Sequence, residues 1–178
     1  LVCLVGSEMC IRDRASAIFV SGCGSMDLRH TVDISEMQTF IEFNVNDELS
    51  VSNVQTNKDK IVIVELGGLT VTSNKKELTD TVIELTKQEL VKRNAKMSAS
   101  AKKGLNLSIE KLVCKSPKNS LSVGCDTLLK LRTNAGYEAI YPAFAEDIDA
   151  NEASSFSLAN SVAAMFRDPN VIDYLTKK

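Results

Sequence analysis

Two cysteines, Cys114 and Cys125, flank a turn around Pro117 to Ser120 and are the first candidates for chemistry in this chain. If strand pairing is centred near Asn119 and Ser120, with one extra residue bulging near Lys111, the two fall opposite each other with both side chains on the apolar face. Two states fit that spacing: a disulfide, or two buried thiols acting as small hydrophobes. A register slip of one residue would separate them. A redox-active pair is not expected, because neither cysteine lies in a C-x-x-C motif or at a helix N-terminus that would lower its pKa.

Other reactive arrangements are incomplete. A Ser-His-Asp relay needs a histidine beside the nucleophile, but the single histidine, His30, lies in a polar stretch ahead of the folded part, and no serine sits in G-x-S-x-G. One histidine also leaves zinc without a ligand set. Asp147, Asp149 and Asn151 match the first three ligand positions of a calcium loop. Glu152 replaces its glycine and Leu158 its bidentate glutamate, so a solvated acidic cap on the last helix is expected instead. Gly67-Gly68 lacks the lysine and hydroxyl of a phosphate loop and reads as a turn or bulge. The carboxylates Glu138, Glu146 and Asp147 keep acid–base chemistry open as an alternative.

A third cysteine closes the tetrapeptide Val20-Ser21-Gly22-Cys23, which follows the apolar stub Ala15 to Val20 and precedes the polar run Gly24-Ser25-Met26-Asp27. This resembles the lipobox of a bacterial lipoprotein. The resemblance implies cleavage by a membrane-embedded peptidase before Cys23, whose thiol and amine then carry diacylglycerol and an N-acyl chain. At about 0.8 kcal/mol per buried methylene, three acyl chains anchor a protein stably without a transmembrane helix. The alternative is a small-residue turn around a buried cysteine. The stub is shorter than the roughly 7 to 15 apolar residues of a signal segment. Residues 1–14, with Leu4-Val5-Gly6-Ser7-Glu8-Met9-Cys10-Ile11-Arg12-Asp13-Arg14 at their centre, resemble a translated sequencing adapter, and no methionine opens them. They are expected to be non-native and to replace the start of the signal, which leaves Cys3 and Cys10 without a role. An intracellular N-terminal arm is the alternative. Gly24, where aspartate would favour inner-membrane retention, points to the periplasmic leaflet of the outer membrane in a Gram-negative host. In a Gram-positive host the same anchor would hold the domain outside the plasma membrane. Such an oxidising compartment permits the Cys114–Cys125 disulfide.

The net charge of −2 and a pI near 5.5 provide no basic field for nucleic acid. No apolar run is long enough to span a bilayer. Residues 15–22 read as a signal remnant, 23–38 as a lipidated tether and 39–178 as a single domain, long enough to bury roughly two thirds of its unfolded surface.

Strand signals begin with Ile41, Phe43 and Val45 alternating with polar residues. Leu49 to Asp59 is polar and turn-rich and reads as a loop. Lys60 to Leu66 is a β-branched run, broken at Gly67-Gly68 before Leu69 to Thr72. A helix from Lys75 to Ala95 follows, with Leu78, Val82, Ile83, Leu85 and Leu90 on one arc, Asn74 as cap, and Glu77 placed for a capping box. Met97 to Gly104 reads as a loop. Leu105, Leu107 and Ile109 then alternate with polar residues, the phase shifts to Leu112 and Cys114, and Leu121 to Leu131 forms the clearest strand. Asn134-Ala135-Gly136 turns it back through Tyr137 to Ala145. A helix from Glu152 to Phe166 ends at Asp168-Pro169, and a short piece carries Val171, Tyr174 and Leu175. This order implies an α+β fold: an antiparallel sheet with a three-stranded C-terminal meander and two main helices packed on one face.

The basic group Lys87, Lys92, Arg93, Lys96, Lys102 and Lys103 is opposed only by Glu89. It could meet anionic headgroups, though a solvated helix end complementing the dipole is favoured.

The lipobox, the helix Glu77 to Arg93, the meander Leu105 to Ala143 and the ending Phe166-Arg167-Asp168-Pro169-Asn170-Val171-Ile172-Asp173-Tyr174-Leu175 together resemble the YajG-like family of small bacterial lipoproteins and, more loosely, lipoproteins that serve as auxiliary components of lipid transporters. The resemblance implies a cell-envelope address. The expected function is that of a noncatalytic, membrane-anchored accessory or binding module for an envelope protein or lipid-like ligand, acting through a sheet edge, a sheet face or the basic helix end. It would need no cofactor beyond the lipid at Cys23. The alternative is a periplasmic hydrolase or cell-wall enzyme using Glu138, Glu146 and Asp147.

Overall fold

The computed structural model describes residues 25–27, 42–45, 47–66, 68–117 and 120–177. In chain order these form β1 (Ser25–Asp27), β2 (Glu48–Asn53), β3 (Lys60–Leu66), β4 (Leu69–Asn74), α1 (Lys75–Lys92), β5 (Lys96–Met97), β6 (Lys103–Lys115), β7 (Val123–Thr133), β8 (Glu138–Asp147), α2 (Ala150–Arg167) and α3 (Pro169–Thr176). The fold is α+β. Among the described residues, no helix is long and apolar enough to cross a membrane.

A five-stranded sheet runs in the order β5-β2-β6-β7-β8, and a smaller one in the order β1-β4-β3. The expected meander is present: β6 pairs antiparallel with β7, and β7 with β8. Its second turn depends on Gly136, whose φ of 89° is the left-handed conformation that glycine adopts freely.

Several sequence expectations differ from the structure. Residues Leu49 to Asp59 are not all loop, because β2 lies between β5 and β6 and parallel to both, so the large sheet is mixed rather than antiparallel. Only Leu49 and Val51 alternate against serines there, and partners on both sides make this polar stretch a strand. The expected loop from Met97 begins inside β5. Ser25–Asp27, placed in the tether, instead pairs in parallel with β4. Residues 42–45 form no strand: Phe43 packs on Phe166 and the Val45 amide donates to the Arg93 carbonyl at 2.8 Å.

The core lies between the large sheet and the helices. On β6 and β7, Leu105, Leu107, Ile109, Cys125, Leu129 and Leu131 are buried on one face, where α1 contributes Leu78, Val82 and Leu85 and α2 contributes Leu158, Val162 and Phe166. Glu110 bulges out of β6 between Ile109 and Lys111, and this extra residue restores the inward phase at Leu112. Asn74 caps α1 by accepting from the Glu77 amide at 2.9 Å. The helix ends at Lys92 rather than Ala95, where Asn94 takes φ 67° and the Ala95 amide reaches back to the Leu90 carbonyl at 3.0 Å.

Candidate functional site on the open sheet face

One face of β7 and β8 meets α2 and the other meets solvent. On β8 the inward positions are Ala139, Tyr141, Ala143 and Ala145, while Ile140, Pro142 and Phe144 point outward. This reverses the usual allocation of large side chains to the interior. The cause is α2, which presents Ala153, Ser154, Ser157 and Ser161 in its buried set. Small residues on both sides bring helix and strand close together, with Ser157 Oγ donating to the Ala143 carbonyl at 3.4 Å and meeting Thr127 Oγ1 of β7 at 2.7 Å.

Ile140 is 57% exposed and Phe144 55%. Leu128 pairs with Pro142, so Ile140, Leu128, Pro142 and Phe144 form a continuous apolar strip across the two strands. The Phe144 ring lies over Gly124, where an added Cβ would stand 2.9 Å from it. Pro142 has no N–H, and the Asn160 amide donates to the Phe144 carbonyl at 3.0 Å, so this outermost strand is poorly suited to accept another strand along its edge. Its face remains available.

Beside the strip, Val54, Asn106, Glu110, Lys130, Arg132 and Glu138 line an open groove of about 500 Å³. Glu138 lies 3.6 Å from Lys130 and 3.4 Å from Arg132, and Ser108 Oγ donates to Glu110 at 2.6 Å. The face therefore combines apolar contact area with charged groups that would orient whatever docks there.

Cys114 and Cys125 stand opposite each other in the β6–β7 register and are joined by a disulfide, with Cα atoms 4.0 Å apart, on the covered face. The basic group does not form one surface. Arg93 is buried, with its guanidinium set against both the Phe43 and Phe166 rings, at 5.0 and 5.2 Å, and bonded to Glu89 at 2.6 Å. Burial alone would raise the Glu89 carboxyl; hydrogen bonds from Lys92 and Arg93 outweigh it and hold the group below the ordinary carboxylate range. Lys103 turns to Asp47 at 2.6 Å. Lys92, Lys96 and Lys102 stay exposed.

The three carboxylates weighed for catalysis do not meet. Glu138 opens β8 whereas Glu146 and Asp147 close it, roughly 27 Å away at about 3.4 Å per residue. Asp147 and Asp149 serve local turns, each accepting a backbone N–H two residues on, and Asp149 caps α2. No group of three or more acidic, histidine or cysteine side chains able to hold a metal occurs among the described residues. Val20, Ser21, Gly22, Cys23 and His30 lie outside the described residues.

Sequence reasoning missed the apolar strip. The signal was present in β8, where Ala139 to Ala145 is apolar at both alternating sets of positions.

A further cluster anchors the C-terminus. The Tyr137 and Tyr141 hydroxyls both donate to Asp168 Oδ2, at 2.5 and 2.7 Å, and Asp168 also caps α3. Burial would raise the Asp168 carboxyl; the two phenol hydrogen bonds prevail and lower it. The same contacts raise Tyr137, and burial together with Asp168 raises Tyr141 strongly.

No known family model matches the chain, and no curated protein does. Among solved structures it is similar to protein XCC0632 from Xanthomonas campestris, of family DUF330, at 7% identity and a TM-score of 0.44, over 80% of this chain and 90% of that one.

Proposed function

We propose that this protein is a noncatalytic binding module of the bacterial cell envelope, of the YajG-like kind, anchored through lipid at Cys23 and docking a protein partner on the open face of β7 and β8. The observation that carries the reading is the exposed strip of Ile140, Leu128, Pro142 and Phe144 beside the charged groove. Isolated exposed hydrophobes are ordinary, but a contiguous apolar strip bordered by paired charges is the composition of a protein contact. Catalysis is the weaker reading, since Glu138 sits at the far end of β8 from Glu146 and Asp147.

A photoreactive phenylalanine analogue at Phe144, irradiated in intact envelopes, tests this. Reproducible adducts to one protein are expected there, and none from the same analogue at Val91, which is exposed on α1. Equal labelling from both positions, or none from Phe144, would refute it.

A further inference from the structure

We propose that the turn between β3 and β4 is a membrane-contact surface: β1 clamps the chain so soon after Cys23 that lipid attached there sets this turn down on the headgroups of the bilayer. This rests on the reading of Cys23 as the lipidated residue and deepens it. Its basis is the register of β1, in which Ser25 stands beside Thr70, Met26 beside Val71 and Asp27 beside Thr72. The pairing is parallel, so β1 begins at the same end of the small sheet as β4, where Leu69 leaves the turn. Cys23 precedes Ser25 by two residues, and a chain of two residues reaches at most about 7 Å. Were residues 23–38 a free tether, its ends would lie roughly 20 Å apart on average and the domain could turn in any direction. Pairing of β1 with β4 removes that freedom and fixes which end of the sheet the acyl chains hold.

The chemistry of that end suits a bilayer surface. The run from Leu66 to Ser73 carries no charged residue, and the first charge above the turn is Glu65, level with Thr70. At the opposite end of the hairpin Lys60 pairs with Asn74, and Lys58, Asp59, Lys60, Lys75 and Lys76 crowd together in the sequence. Lowering the turn into the headgroup layer therefore dehydrates no ionised group, whereas lowering the other end would dehydrate several. The turn is also open: Gly68 is exposed, and a Cβ built on it would meet nothing within 4 Å among the described residues. Attachment at Cys23 and the absence of charge thus select the same end of β3 and β4.

The test uses the full chain, which contains no tryptophan, so that a single introduced one reports a single position. Glu65→Trp places it near the turn, and Lys60→Trp at the far end of the same strand, about 17 Å away; each exchanges one exposed charged side chain for an indole. With Cys3→Ser and Cys10→Ser, and with Cys114 bonded to Cys125, Cys23 is the one free thiol. It is coupled to maleimide-bearing lipid in phosphatidylcholine vesicles that carry a nitroxide on the headgroup, which quenches indole emission at short range. Loss of emission at Glu65→Trp at least about twice that at Lys60→Trp is expected from their difference in height. A glycine–serine insert of about 12 residues between Gly24 and Ser25 spans roughly 20 Å, leaves β1 intact and should abolish the difference. Thermal unfolding of every variant reports that it is folded. Equal losses at the two positions, a larger loss at Lys60→Trp, or a difference that the insert leaves unchanged would overturn the proposal. Chemical coupling makes these readings independent of acylation in a cell, which the intact mass of protein extracted from envelopes decides separately. No acyl adduct there removes the anchor and the proposal with it, whereas an adduct together with equal losses overturns the orientation and leaves the anchor standing.

Discussion

Breaking the Cys114–Cys125 bond should be the most informative single perturbation of the sheet. The two cysteines are 11 residues apart and close a short loop across the first turn of the meander. In the chain-entropy account, a loop of that size removes about 3 kcal/mol worth of freedom from the unfolded chain. With a urea slope of about 2 kcal/mol per molar for a domain of this size, reduction should lower the unfolding midpoint by roughly 1.5 M. The assay is urea unfolding followed by circular dichroism, with and without reductant, in a background where Cys3, Cys10 and Cys23 are serine so that only this pair responds. Cys114→Ala combined with Cys125→Ala should reproduce the reduced protein, and alkylation of the oxidised protein should add no mass. A midpoint shift below roughly 0.5 M, equivalent to about 1 kcal/mol, would refute the reasoning. So would two alkylatable thiols in protein isolated under oxidising conditions.

Two further substitutions probe the buried polar contacts. Asp168→Asn keeps a capping oxygen for α3 but removes the charged acceptor of Tyr137 and Tyr141, and should cost about 2 kcal/mol in chemical denaturation at neutral pH. Because the Asp168 carboxyl is lowered in the folded state from an ordinary 3.8, its stabilisation is complete above about pH 4 and disappears as the pH falls through the lowered value; the variant's stability should therefore be flatter with pH in that acid range, and equal slopes for both proteins would count against the assignment. Arg93→Met leaves the buried Glu89 paired with Lys92 through Oε1 but strips the donor from its Oε2, and should cost about 2–3 kcal/mol, whereas Glu89→Leu combined with Arg93→Met should cost markedly less, since the buried oxygen left without its donor and not the lost attraction dominates; unfolding midpoints for the single and double variants decide between the two.

Much of the fold was legible because neighbouring residues in the sequence dictate it. The period of Leu78, Val82 and Leu85, capped by Asn74, specifies α1. The alternation of Leu105, Leu107 and Ile109 and its phase shift at Glu110 and Lys111 specify β6 and its bulge, and that register sets Cys114 opposite Cys125. These are consequences of local geometry, in which spacing alone determines which side chains share a face. The lipid anchor expected at Cys23 is local in the same sense, since it depends only on Val20, Ser21 and Gly22 before it.

What tertiary structure decided was set by partners distant in the chain. Glu48–Asn53 is a strand because β5 and β6 flank it, not because its serines and asparagine favour one. Arg93 reads as one cation among six in the sequence; Phe43 and Phe166, far from it in either direction, turn it inward and remove it from the basic surface. On β8 both alternating sets of positions are apolar, and only the close packing of α2's alanines and serines against Ala139, Ala143 and Ala145 sends Ile140 and Phe144 outward. Sequence determines which residues stand together on a face, whereas the space available between packed elements determines which face is buried and which is left to solvent.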